Sequence, residues 1–167
     1  MSDITKSLLQ AYYDDIETEK SSTLSYLVHH EIVQQPLASF TSYHGNLPMI
    51  LIEWGGNQME PDSMEGSCRS DKKVYTINLY GLIEDYDENY GVVGNTTTGY
   101  TGTVDVGEDL ETLYNRETFD LSQAAIMTQV VPVTLALPQL LADQPGAYWF
   151  HGVQCTIEHD WIDRRLS

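Results

Sequence analysis

The sequence predicts an α+β fold, an antiparallel sheet with helices packed on one face and a long acidic loop, within one domain spanning 1–167. Three features carry that expectation: an opening segment with apolar residues at helical spacing, two short runs rich in β-branched and aromatic residues, and a closing segment that alternates apolar with polar positions. Hydrophobic residues at 41% supply enough apolar matter for a core, so the charge imbalance described below does not imply disorder.

Behind Asp3, a candidate N-cap, apolar residues recur at Ile4, Leu8, Leu9, Tyr12, Tyr13 and Ile16. This spacing predicts a helix over 4–18, with Asp14, Asp15, Glu17 and Glu19 mostly on its outer face. The apolar patch from Leu24 to Val33 has an ambiguous period and is closed by Pro36. The run Leu47–Trp54, bounded by Gly45-Asn46 and Gly55-Gly56, predicts a buried strand. Residues 57–72, with Pro61, Asp62, Ser63, Gly66 and Ser67, read as a loop; 74–83 reads as a second strand, antiparallel to the first.

Between 84 and 107 the chain is acidic, glycine-rich and poor in apolar residues, which predicts a long exposed loop. From Glu108 the positions of Leu110, Leu113, Tyr114, Ala124, Ala125 and Met127 suggest helix to about 141, broken at Pro132 and Pro138. Val130, Val131, Val133 and Thr134 keep a strand over 129–136 open as the alternative. After Gln144-Pro-Gly, Trp149, Val153, Cys155, Ile157 and Trp161 alternate with Gln154, Thr156, Glu158 and Asp160, so 147–162 is expected to be a long strand with one buried face.

Twenty-five Asp and Glu against eight Lys and Arg leave a net charge of -17. Gripping nucleic acid requires cations that displace counterions from phosphates, so this balance argues against a nucleic-acid-binding module and against docking on an anionic membrane. No stretch reaches the roughly 20 apolar residues of a membrane span, and the opening Met1-Ser-Asp-Ile-Thr-Lys lacks the features of a secretory signal, so a soluble, non-exported protein is expected. Two cysteines, Cys68 and Cys155, fit free thiols in a reducing compartment better than a disulfide. Asn95-Thr-Thr, formally a glycosylation sequon, then reads as plain loop.

Four groupings could carry chemistry, and each fails on spacing or context. His151, Cys155 and His159 would stack as zinc ligands on a helix, but on a strand the two histidines stand roughly 26 Å apart. The run Asp85-Tyr-Asp-Glu-Asn-Tyr-Gly begins like a calcium loop, yet Tyr90 and Thr96 occupy the positions that need Gly and Glu. His29-His30-Glu31 has no accompanying nucleophile, and Gly94-Asn-Thr-Thr-Thr-Gly lacks the lysine of a phosphate loop. No catalytic, cofactor-binding or metal-ligating residue is assigned, and no cofactor or enzymatic activity is expected. Tyr12, Tyr13, Tyr75, Tyr80 and Tyr114 are expected in the core or at subunit contacts.

Charge instead points to assembly. Ten acids lie between Glu84 and Asp120 against Arg116 alone, while Lys72-Lys73 and Arg164-Arg165 form two small basic spots. Lys72, Lys73, Asp85, Asp87, Glu88, Arg164 and Arg165 are therefore the candidate residues for subunit contacts or for lining a passage. Simple solubility is the bland account of the same charge.

The succession of elements resembles the tail-terminator, or neck, proteins of long-tailed bacteriophages. The opening helix Ile4 to Ile16 and the proline-led strand Leu47-Pro-Met-Ile-Leu-Ile-Glu carry the likeness first. The paired strand Tyr75-Thr-Ile-Asn-Leu-Tyr-Gly-Leu-Ile, a helix, and a closing strand from Val153 ending in Arg165 complete it. The resemblance implies a non-enzymatic homo-oligomeric ring, a hexamer in the family, that caps the tail tube and joins it to the head connector. DNA would pass through without specific binding, and the protein would reside in the virion neck after assembly in the host cytoplasm. A head-closure or stopper ring is the nearest alternative within that class; an acidic interaction protein or DNA-mimic inhibitor is the alternative outside it.

Overall fold

A computed structural model of the chain describes residues 4–34, 47–65, 68–84, 88–95, 97, 99, 101–115, 118–121, 126–134, 139–140 and 148–162. Helix α1 spans Ile4–Glu19, and strand β1 spans His29–Val33. Two long strands follow, β2 at Met49–Glu65 and β3 at Cys68–Glu84. Helices α2 (Glu88–Val93) and α3 (Thr103–Tyr114) come next. The strands β4 (Thr118–Leu121), β5 (Ile126–Thr134), β6 (Gln139–Leu140) and β7 (Tyr148–Ile162) complete the order.

The strands form one sheet in the order β1-β2-β3-β7-β5-β4, with β6 also paired to β7, so the α+β class holds. The expected antiparallel pairing of the two apolar runs is present, from Met49↔Leu82 to Trp54↔Ile77. The sheet is mixed, however, because β1 runs parallel to β2, from His29↔Met49 to Val33↔Glu53. Residues 34–48 between them are long enough for the crossover that a parallel pair requires.

Alternation divides the sheet into two faces. Ile50, Ile52, Tyr75, Ile77, Leu79, Val153, Cys155 and Ile157 lie on one face, in one core with Leu8, Tyr12 and Ile16 of α1 and Val106, Leu110 and Tyr114 of α3. These helical residues recur at spacings of four, which puts each set along one stripe. Met49, Leu51, Leu82 and Phe150 form a second cluster on the opposite face. Both α1 and α3 thus pack on the same side, as expected.

Three expectations need correction. The predicted loop over 57–72 is largely strand: pairing continues through Glu65↔Cys68, and the irregular residues are absorbed as register shifts after Trp54 and after Pro61. At the first shift Gly56 has φ 110°, a left-handed conformation suited to glycine. A Cβ on the adjacent Gly55 would stand 2.7 Å from Thr76 Cγ2, so the close strand approach also requires glycine there. The predicted helix over 108–141 ends at Tyr114, and 126–134 is strand, close to the β-branched alternative over 129–136. Pro132 is tolerated because β4 pairs with β5 only as far as Gln129, leaving Pro132 on an edge.

The predicted exposed loop over 84–107 is also shortened where it is described. Glu84 ends β3, Glu88–Val93 is helical, and α3 begins at Thr103. Buried Gly91 explains the capture of α2, because the Trp149 indole occupies the space a side chain there would need. Gly102 donates its backbone N–H to Asp105 Oδ2 at 2.8 Å, fixing the start of α3.

Glycine also sets the height of α3 above the sheet. The Val106 side chain sits where a Cβ on Gly81 would go, and the His151 ring does the same above Gly107. We predict that Gly81→Val destabilises the fold by about 1–3 kcal/mol through overpacking, measured by urea unfolding. Unchanged stability would show that α3 is not held against β3 at this point.

Candidate functional site

The buried polar groups under the helices are structural in character. The Tyr12 and Tyr114 rings meet tilted at 52°, with 4.9 Å between centroids, in the same core as Cys155. Burial, above all, pushes the Cys155 thiol up to about 12, while a hydrogen bond with Tyr12 pulls in the other direction. A thiol so placed stays protonated near neutral pH and is not an activated nucleophile. Burial likewise raises the Tyr12 and Tyr114 hydroxyls above their ordinary range. Cys155 is fully buried, in keeping with its place on the inner face of the closing strand.

The histidines of the weighed groupings separate. Strand β7 carries His151 and His159 eight residues apart, roughly 26 Å along the chain, so they do not meet at one ion. Among the described residues, no group of three or more His, Cys, Asp and Glu is arranged to hold a metal. His30, on β1, is buried, and its Nε2 donates to the Tyr13 carbonyl at 3.1 Å, which ties the edge strand to α1. Its neighbour His29 stands 3.6 Å from Glu31. These contacts account for the His-His-Glu motif as an anchor of β1.

A polar row crosses the other face. Glu53, Asn78 and Gln154 are neighbours on β2, β3 and β7. Asn78 donates to Glu53 Oε2 at 2.9 Å, and Gln154 donates to Asn78 Oδ1 at 3.2 Å. The Tyr80 hydroxyl also donates to Glu53 Oε2, at 3.1 Å, and its pKa is pushed up to about 12 by burial and then by the Glu53 charge. Each of these groups is satisfied by a neighbour, so the row stitches three strands together.

Of the candidate contact residues, only Lys72, Lys73 and Glu88 lie in described elements, and these do not converge. Lys72 and Lys73 lie in the half of β3 nearest its start, whereas Glu88 opens α2 just beyond the other end of that strand. From position 72 to Glu84 the strand covers on the order of 40 Å. Register separates even the two adjacent lysines: Lys72 stands between Glu60 and Asp160, Lys73 between Met59 and His159. Asp85, Asp87, Arg164 and Arg165 lie outside the described residues. Arg164 and Arg165 follow β7 in sequence, and β7 ends where Ile162 pairs with Ser70.

Surface features that the sequence did not single out are the apolar side chains of Val28, Ile32, Tyr90 and Val93, exposed by 41–63%. Tyr90 and Val93 belong to α2, beside the acidic helix α3 with Asp105, Glu108, Asp109 and Glu111 and no basic residue. Tyr26 donates to Asp109 Oδ2 at 3.0 Å, which occupies that acid internally, while Glu108 is exposed. The exposed apolar positions on α2 were hidden by the loop reading of this segment. No helix among the described residues is long and apolar enough to cross a membrane. Compared with known proteins, the chain matches no protein-family model and no curated protein.

One buried group has a measurable consequence. His151 is 8% exposed, and its Nδ1 has no hydrogen-bond partner among the described residues. Burial lowers its pKa, with the Glu111 charge opposing in part. The unfolded chain therefore takes up a proton near the ordinary value of about 6.5 while the folded chain resists it. Stability should fall as pH drops below that value towards the folded pKa, and His151→Leu should shrink the loss between pH 7.5 and 5.5 in urea titrations. An equal loss in both proteins would remove His151 from the account.

Proposed function

We propose that the chain is a structural protein of the neck of a long-tailed bacteriophage, a tail terminator that forms a ring. The ring caps the tail tube and joins it to the head connector around the DNA channel. The observation that carries this reading is the succession of α1, the β2–β3 pair, α3 and the closing strand β7 within one mixed sheet. The two ends of the strand order support it too. β1 and β4 are different strands, so any contact between them in neighbouring copies is heterologous, the type of contact that closes into rings.

The charge of -17 suits a conduit that DNA crosses without being gripped, since a surface poor in cations gives phosphates little to bind. On this reading the partners are other copies of the chain, the tail tube protein and the head-connector proteins, met in the host cytoplasm and retained in the virion. A head-closure or stopper ring is the same proposal at an adjacent position in the neck. The concentration of acids over 84–120 favours a second reading, an acidic inhibitor that mimics DNA and captures a basic partner as a monomer or dimer.

Native mass measurement with negative-stain imaging of the purified protein separates the two. Closed rings, expected with six subunits, support the neck reading. A monomer that captures a basic nucleic-acid-binding protein and never forms rings contradicts it.

A further inference from the structure

Strand β1 stands at one end of the strand order, and among the described residues it pairs with β2 alone. Pairing on one side leaves such a strand with a row of backbone N–H and C=O groups turned outward, a template for another strand. His29–Val33 contains no proline or lysine, and its pairing with Met49–Glu53 runs without a register shift, so nothing in the strand itself blunts the edge. The side chains are open on both faces as well. His30 is buried beneath α1, but Ile32, two residues on and on the same face, is exposed, as is Val28 just before the strand. On the opposite face the side chains of His29 and Glu31 are 43% and 37% exposed.

The run Val28-His29-His30-Glu31-Ile32 is self-complementary when laid antiparallel against a second copy of itself. With His30 opposite His30, Val28 stands opposite Ile32 and His29 opposite Glu31, and each of these pairs occurs twice. Residues directly opposite in an antiparallel pair share a face, with Cβ atoms about 4.5–5.5 Å apart. The exposed apolar side chains therefore cover one another on one face, and imidazole meets carboxylate on the other. A slip of one residue puts Val28 opposite Glu31, or His29 opposite Ile32, and loses both kinds of match, so the chemistry selects this register.

We infer that β1 is a two-fold contact, in which the β1 strands of two copies of this chain pair antiparallel about His30 and join two sheets into one. The central His30 rings stay engaged with their own α1, each bonded to the Tyr13 carbonyl and 3.6 Å from Glu17, so the centre of the contact is backbone pairing. The His29–Glu31 contact within each chain, at 3.6 Å, is exchanged for two such contacts between chains. Opposite partners at these positions also fix the register of approach in a chain whose overall charge otherwise keeps copies apart. The contact does not rest on the neck reading. An isologous contact closes at two copies, so it makes a dimer of the free chain, and in a ring built through other surfaces it joins one ring to a second.

Sedimentation velocity on the full chain tests this, with circular dichroism to show that each variant is folded. His29→Glu places two carboxylates opposite each other twice over and should weaken the pairing by about tenfold or more, halving the mass of the assembled species. Adding Glu31→His to that variant exchanges the two positions, restores opposite partners in the same register, and should restore the mass. Ile32→Lys, at the exposed apolar position, should halve the mass independently. Masses unchanged by both His29→Glu and Ile32→Lys overturn the contact and leave any ring intact. Rings that fall apart to monomers in these variants, instead of halving, also overturn it, because β1 then belongs to the ring contact and the ring reading stands. A wild-type chain that stays monomeric at its highest soluble concentration overturns the contact outright.

Discussion

Strand β3 is paired along its length on both sides, with β2 from Met49↔Leu82 to Glu65↔Cys68 and with β7 from Ser70↔Ile162 to Glu84↔Tyr148. A central strand satisfies its backbone donors and acceptors only while both neighbours hold register, and a slip of one residue would turn its whole buried set outward. Tyr75, Ile77 and Leu79 would then exchange places with Thr76, Asn78 and Tyr80, putting amide and phenol groups under the helices. The position of α3 follows from the same register, because Gly81 and His151 share a row and both lie beneath it. The capture of α2 by Trp149, two residues earlier on β7, extends that dependence to the segment after β3.

Pairing over this length has a second consequence. A sheet needs only as many residues as its helices cover to complete a core, and here the strands go on past the Tyr75–Ile157 row. The continuation is held by the same backbone pairing, from Gln58↔Val74 to Glu65↔Cys68 on one side of β3. Sheet edges and faces left beyond a core are liabilities unless something occupies them. The proposed ring would supply such an occupant through neighbouring copies of the chain.

Much of this fold was legible in the sequence. The spacing of Leu8, Tyr12 and Ile16 gave the opening helix, and the alternation through Val153, Cys155 and Ile157 gave the closing strand, because each element buries one face against one partner. Strand β1 was not legible: His29-His30-Glu31 carries little strand preference, and it is held by parallel pairing and by the His30–Tyr13 contact. The extension of β2 was hidden behind Pro61, Asp62 and Ser63, whose local preference for turns is outweighed by a partner strand in register. Reading 108–141 as helix failed past Tyr114, where periodicity alone did not distinguish helix from a short strand interrupted by proline. As for the site, Lys72 and Lys73 were found as a pair, but only register shows that one sits between two acids and the other does not.

The proposed function depends on copies of the chain closing into a ring. A cryo-electron microscopy reconstruction of the assembled particle examines it most directly. The neck reading predicts a closed ring built on contacts between different surfaces of successive copies. A chain that stays monomeric and captures a basic partner without ever forming rings would contradict it.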